Sequence, residues 1–298
     1  MHLKGLVSLT KKVVGFIGTG VMGSNMAINI MKAGYALNVF TRTKEKAEQV
    51  IEHGGMWCES IADLARQSDV IITIVGYPRD VEEVYLGDEG VLEHAKQGSY
   101  TIDMTTSSPK LAKKIYEEAK AKNIYALDAP VSGGDIGARN GELSIMVGGD
   151  EKAYEEVKPV LQAMGTNIVR QGEAGAGQHT KMSNQIVIAT SMIGVCEAII
   201  YAEKAGLDPH RVLESIGSGA ASSWSLTNLV PRMIAEDYAP GFYVKHFIKD
   251  MTIALESAED MGFHTPGLKL AKSLYEQLAE MGEENSGTQA LYKLLKQM

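Results

Sequence analysis

Val13-Val14-Gly15-Phe16-Ile17 runs directly into Gly18-Thr19-Gly20-Val21-Met22-Gly23, and this junction limits the chain's possible folds more than any other stretch. A β-branched run, then G-x-G-x-x-G, then Met22, Met26 and Ile30 at helical spacing reads as strand, tight loop and helix. In a chain with 31 glycines the pattern alone is weak. Its position between a strand and a helix is what gives it meaning. Gly18 then permits the tight turn, Gly20 lets the backbone approach a pyrophosphate, and Gly23 lets the helix lie close to the strand. Thr19, Val21 and Met22 complete a loop whose helix N-terminus offers N–H groups and partial positive charge to phosphates.

The alternation continues to about Arg170. Strands are expected at Leu37–Phe40, at residues 71–75 (an apolar run of the kind covered on both faces), at 100–104 and at 124–127. A charged helix is expected over 44–52, and Ser107 or Ser108 should cap a helix that opens with Pro109. The pattern predicts an α/β domain over residues 1–175, a doubly wound parallel sheet with right-handed crossovers. Gln171-Gly172-Glu173-Ala174-Gly175-Ala176-Gly177, with three glycines in seven residues, interrupts it and reads as a linker. Beyond it strand signals vanish. One helix is expected over 178–205, ending at Gly206 and spanning on the order of 40 Å. Further helices are expected over 209–216, 226–235, 245–261, 268–281 and 288–296, so residues 176–298 read as an all-α domain. Residues 1–11 read as a lead-in without the apolar core of a secretory signal.

Composition removes several function classes. Lys and Arg number 29 against 37 Asp and Glu, a formal net charge of −8 with no basic block, which argues against nucleic-acid binding. Cys58 and Cys196 are far apart and in no metal spacing, so a disulfide framework is not expected and a reducing cytoplasm is. The seven histidines show no ligand spacing either, and no metal site is expected. The longest apolar stretch, residues 186–202, carries Thr190, Ser191 and Glu197 and reads as a buried helix rather than a membrane span.

Three segments carry candidate chemistry. Phe40-Thr41-Arg42-Thr43, with Lys46 one turn later, stands where an NAD site places Asp or Glu for the ribose; cations there suit the 2′-phosphate of NADP(H). In Asp128-Ala129-Pro130-Val131-Ser132-Gly133-Gly134, Ser132 offers a hydroxyl, while Gly133 and Gly134 offer N–H groups to a carboxylate. Asp128 itself reads as capping a strand end. Lys181 has Asn184 and Gln185 at i+3 and i+4, on its own helix face. Most lysines are solvated, but this one follows the glycine segment, where a cleft between domains is expected. An amine there can give a proton to an alkoxide or take one from a hydroxyl, provided burial lowers its pKa toward neutrality. Trp224 and Phe242 read as core or pocket wall, and Ser222, Ser223 and Ser225 as within reach of a substrate tail.

Taken together, Gly15-Phe16-Ile17-Gly18-Thr19-Gly20-Val21-Met22-Gly23, the Asp128–Gly134 turn, and Gly177-Gln178-His179-Thr180-Lys181-Met182-Ser183-Asn184-Gln185 resemble the β-hydroxyacid dehydrogenase family, the group of 3-hydroxyisobutyrate dehydrogenase and tartronate semialdehyde reductase. The resemblance runs from about Lys12 to the C-terminus. It implies a Rossmann domain, a helical second domain, NADP or NAD as cofactor, a small carboxylate substrate, and a homodimer or homotetramer. It also implies Lys181 as acid/base, with Ser132, Gly133, Gly134 and an amide of Asn184 or Gln185 on the substrate carboxylate. Thr106 matches a cofactor-contacting Thr, Lys249 a lysine near the cofactor, and Val75-Gly76 a Leu-Pro pair on the nicotinamide side. The chain departs from the pattern in that pair, in Gln185 where many members have a second Asn, and in Arg42-Thr43, which resembles the NADP-accepting branch. Imine reductase-like enzymes and non-catalytic cofactor-binding modules share this scaffold, but they replace the lysine.

Overall fold

The structure, a computed structural model, describes residues 12–298; the lead-in read over residues 1–11 lies outside them. The chain forms two compact units, one ending at Gln178 and the other beginning at His179.

The first unit alternates strand and helix. Its elements run β1 (Val14–Ile17), α1 (Val21–Lys32), β2 (Leu37–Phe40), a 3-10 turn Lys44–Ala47 leading into α2 (Glu48–Glu52), β3 (Met56–Trp57), α3 (Ile61–Gln67) and β4 (Val70–Thr73). They continue with α4 (Pro78–Leu86), α5 (Val91–His94), β5 (Tyr100–Asp103), α6 (Pro109–Ala121), β6 (Tyr125–Asp128), β7 (Val131–Ser132), α7 (Gly134–Asn140), β8 (Leu143–Gly148), α8 (Glu151–Leu161) and β9 (Gly165–Gly172). Ser108 occupies the N-cap position of α6 without a side-chain capping hydrogen bond, and Pro109 opens the helix. Val70, Ile71, Ile72 and Thr73 are each 0% exposed, which is why β4 shows no alternation in sequence. Burying each such aliphatic side chain contributes about 1.5–3 kcal/mol.

The strands are ordered β3-β2-β1-β4-β5-β6-β8-β7, with β9 beside β8. From β3 to β6 every pair is parallel. The expectation of a wholly parallel sheet fails beyond β6, because β8 lies antiparallel to both β6 and β7. Connection length supplies the reason. Only residues 133–142 join β7 to β8, fewer than the dozen or so that a parallel crossover needs. Residues 149–164, which contain α8, join β8 to β9, and those two strands pair parallel.

The parallel strands end level with one another. Ile17 pairs with Phe40 and Thr73, Thr73 with Asp103, and Asp103 with Asp128. The loops after β1, β2, β4, β5 and β6 therefore leave from one edge, where an open α/β sheet binds its ligands. Ile74 and Val75, expected as strand, already belong to this edge.

The second unit is helical: α9 (Ala176–Lys204, whose first residues belong to the first unit), α10 (Pro209–Ile216), α11 (Trp224–Ile234), α12 (Val244–Asp260) and α13 (Pro266–Leu278). A π-turn Ala279–Glu283, a 3-10 turn Thr288–Ala290 and α14 (Leu291–Lys296) complete it. Gly206, at φ +74°, follows the end of α9. Met182, Ala189, Met192, Cys196 and Ile199 form the buried stripe of α9, packed with Val230, Phe247, Met251 and Tyr275. By length and composition α9 is the one helix among the described residues that could cross a membrane; this stripe is nonetheless part of the second unit's core. Cys58 and Cys196 are both free and buried.

Candidate active site

The first unit presents an anion cradle. Gly18 has φ +100°, and a Cβ there would lie 2.1 Å from the carbonyl oxygen of Ile74. A Cβ on Gly23 would lie 1.9 Å from the carbonyl oxygen of Gly18, so helix and loop meet closer than any side chain allows. Gly20 is the opposite case. A Cβ on it would meet nothing within 4 Å, and it caps α1 without a side-chain hydrogen bond. Open space before an uncapped helix N-terminus fits a pyrophosphate. Thr19 is buried, with its carbonyl accepting from the Ser24 hydroxyl at 3.0 Å, whereas Val21 is exposed and Met22 half-buried.

At the end of β2, Thr41 is half-buried and Arg42, Thr43 and Lys46 are exposed. Arg42 Nη1 lies 3.2 Å from Asp80 Oδ1. Asp80 is itself held at the start of α4, where Oδ2 accepts from the Tyr77 N–H at 3.0 Å. After β4, the Val75 N–H donates to Thr105 Oγ1 at 3.0 Å, and the Thr105 N–H donates to Asp103 Oδ1 at 3.0 Å. Gly76 and Thr106 are half-buried beside them. After β6, Ser132 ends the two-residue strand β7, and Gly133 and Gly134 turn the chain into α7 at φ +128° and +64°.

The second unit gathers the other candidates on α9 and α12. Lys181 is only 7% exposed. Burial drives its pKa from 10.5 down to about 8, with the Asp250 carboxylate opposing and the Lys249 ammonium adding to the fall. Asp250, 1% exposed, takes a hydrogen bond from Gln185 Nε2 at 2.6 Å and stands 3.0 Å from Lys249 Nζ. Asn184 Nδ2 donates to Gln185 Oε1 at 2.7 Å. The Gln185 side chain is therefore engaged at both ends and 1% exposed, and Asn184 is the half-buried amide of the two.

Two participants escaped the sequence reading, and one signal would have found both. Asp250 shares the buried stripe of α12 with Phe247, Met251 and Ala254, and Gln178 precedes Met182 on the buried side of α9. A polar group in an apolar stripe needs hydrogen-bond partners, and that requirement is the signal both residues carry. The glycine segment before α9 is also more than a linker. Asp128 takes the Gly175 N–H on Oδ1 at 2.7 Å and the Gln178 N–H on Oδ2 at 2.8 Å. A Cβ on Gly177 would fall 2.3 Å from the carbonyl oxygen of Met146, so the glycine is required by packing. Trp224, read as core or pocket wall, is 60% exposed and so not core, while Phe242 packs against the core. Ser223 spends its hydroxyl on the Leu226 N–H as the cap of α11.

Comparison with known proteins gives this geometry its context. Residues 13–172 match the NAD-binding domain of 6-phosphogluconate dehydrogenase, and residues 175–295 match the family described as NAD-binding of NADP-dependent 3-hydroxyisobutyrate dehydrogenase. The chain belongs to the β-hydroxyacid dehydrogenase family. It is an NAD(P)-dependent hydroxyacid oxidoreductase of the 3-hydroxyisobutyrate dehydrogenase kind. Among relatives of this dehydrogenase, an uncharacterised oxidoreductase of Bacillus subtilis is 63% identical over 95% of the chain and 99% of its own length. A probable 3-hydroxyisobutyrate dehydrogenase-like mitochondrial protein of Arabidopsis thaliana is 46% identical over 98% of the chain and 88% of its own length. The structure of Mycobacterium tuberculosis 3-hydroxyisobutyrate dehydrogenase with L-serine superposes with a TM-score of 0.88 at 29% identity, covering 96% of this chain and 99% of that one.

The buried lysine carries a stability consequence with a defined sign. Its folded pKa of about 8 lies below the unfolded 10.5. Below pH 8 the folded state therefore holds a disfavoured ammonium, by roughly 3 kcal/mol, and that penalty fades as pH rises through 8 toward 10.5. Lys181→Met is expected to raise the melting temperature at pH 7 and to raise it less at pH 10. Calorimetry at both pH values checks this, and a lower melting temperature at pH 7 would contradict it.

Proposed function

We propose that this dehydrogenase interconverts a short 3-hydroxy acid and its semialdehyde with NADP(H), Lys181 moving the proton. The observation that carries the reading is a lysine 7% exposed and poised at about 8, so that both of its forms are available near neutral pH. The dinucleotide would supply or take up the hydride, which no side chain of this protein can. Lys181 as ammonium gives its proton to the carbonyl oxygen during reduction, and as amine it takes the hydroxyl proton during oxidation. Ser132, the N–H groups of Gly133 and Gly134, and Asn184 are the groups assigned to the substrate carboxylate. Gln185 holds Asp250 in place, and Lys249 is assigned to the cofactor. A small acid is also supported by the L-serine in the mycobacterial structure, itself a short 3-hydroxy acid. The two buried free thiols fit a reducing compartment such as the cytoplasm.

Lys181→Ala is expected to lower turnover by at least ~10²-fold with little change in cofactor affinity, the scale of lost general acid catalysis. NAD(P)H absorbance, followed over a panel of short hydroxy acids and semialdehydes with each cofactor, reads it; near-normal turnover would remove the mechanism. In the wild type, reduction should decline and oxidation should rise as pH passes about 8.

Arg42 carries the cofactor preference in this reading, since a guanidinium can bond a 2′-phosphate that a carboxylate would repel. Arg42→Ser is expected to reduce the preference for NADP over NAD by about tenfold or more. An unchanged ratio of kcat/KM for the two cofactors would place the preference elsewhere.

Self-association is supported by the outer face of α9, where Ser183, Val187, Thr190, Gly194, Glu197 and Tyr201 form an exposed stripe. Val187 is 64% and Tyr201 75% exposed, unusual on a helix this apolar. The stripe is assigned to a homodimer contact. Light scattering should find a multiple of the 32.2 kDa chain mass, and Val187→Asp with Tyr201→Ser should return it to the monomer.

A further inference from the structure

Gln178 is 0% exposed and has no part in the proton transfer just described. Its side-chain amide works in two directions. Nε2 donates to the carbonyl oxygen of Thr105 at 2.7 Å, and Oε1 accepts from the Ser107 N–H at 2.9 Å. The residue between those two backbone groups is Thr106, the candidate cofactor contact. The same loop is tied further along, because Thr105 Oγ1 accepts from the N–H of Val75, the candidate on the nicotinamide side. A continuous run of hydrogen bonds thus links Val75, Thr105, Ser107 and Gln178. The backbone of Gln178 is anchored separately, its N–H donating to Asp128 Oδ2. Lys181 follows three residues later on the same helix, within one turn.

We infer that Gln178 is a positioning residue: its amide clamps residues 105–107 so that Thr106 is presented to the dinucleotide and the helix bearing Lys181 starts from a fixed root. The inference rests on the roles proposed for Thr106 and Lys181. Its chemical basis is that the two backbone groups need a donor and an acceptor held in one plane. An amide provides that and an apolar side chain of the same length does not. Leaving a buried N–H and a buried C=O unmatched would let the loop move to find other partners. A charged carboxylate supplies only acceptors, so it matches the Ser107 N–H and repels the Thr105 carbonyl. A protonated carboxyl matches both, as the amide does.

That difference supplies the test. Gln178→Met and Gln178→Glu are compared with wild type by NADPH fluorescence titration, by melting temperature, and by kcat at saturating cofactor and substrate. Asp128, bonded to the backbone at position 178, is common to all three proteins. Gln178→Met is expected to weaken NADPH binding and to lower kcat, each by about tenfold. Gln178→Glu should resemble it at pH 8 and approach the wild type, measured at the same pH, as the pH falls toward 6 and the buried carboxyl protonates. A Met variant that melts lower but binds NADPH and turns over like the wild type would overturn the inference, leaving Gln178 a packing residue. If that variant does not fold, a Glu variant whose NADPH affinity keeps a constant ratio to wild type across pH overturns it equally. Failure of the dehydrogenase reading would look different: the wild type would turn over no hydroxy acid, while the NADPH titrations would still report on the clamp.

Discussion

A buried carboxylate at the end of β6 holds the root of the helix on which Lys181 sits. Asp128 is 5% exposed, and burial pushes its pKa up even though the N–H groups of Gly175, Gln178, Gly177 and Asp128 itself all favour the charged form. The N–H groups of Gly175, Gly177 and Gln178 stand at the N-terminal end of α9, where a negative group is also favoured by the helix dipole. The surroundings are shaped to this group. A Cβ on Gly148 would come within 2.5 Å of Asp128 Oδ1, and one on Gly177 within 2.8 Å of Oδ2. Glycines that look like slack in the sequence are thus the condition for packing a carboxylate against three backbone segments.

The second constraint is electrostatic. An ammonium seldom survives burial, and the protein keeps one by placing Asp250 near it and by engaging that carboxylate with Gln185 and Lys249. The balance leaves Lys181 near the middle of its titration at mildly alkaline pH rather than locked in one form. Both protonation states are therefore accessible around that pH. The adjacent amides differ in their engagement: Gln185 donates to Asp250 and accepts from Asn184, whose own side chain stays half-buried.

Much of the first unit was legible because its signals are local. The run at β4 is apolar throughout since the strand is covered on both faces, and Pro109 after Ser108 marks a helix start by backbone geometry alone. The strands β7, β8 and β9 were not legible as a change of direction. Whether β8 runs with or against β7 depends on how far a ten-residue connection can reach, which no periodicity encodes. The exposed Trp224 escaped for a related reason, because a large aromatic side chain is apolar in any sequence and only its neighbours decide whether it is covered.

The sequence by itself determined the glycine loop between β1 and α1, the cations after β2, the Ser-Gly-Gly turn, and the lysine one turn into the long helix. These depend on residue identity and on spacings of a few residues, which the chain carries wherever it goes. Only the tertiary structure decided that Lys181 is buried enough to titrate near 8, that Asp250 stands by it from residues 69 positions away, and that Gln178 reaches back to Thr105 and Ser107. Desolvation and hydrogen-bond partnership are properties of a neighbourhood, and the neighbours here come from segments distant in sequence that meet only once each unit has packed.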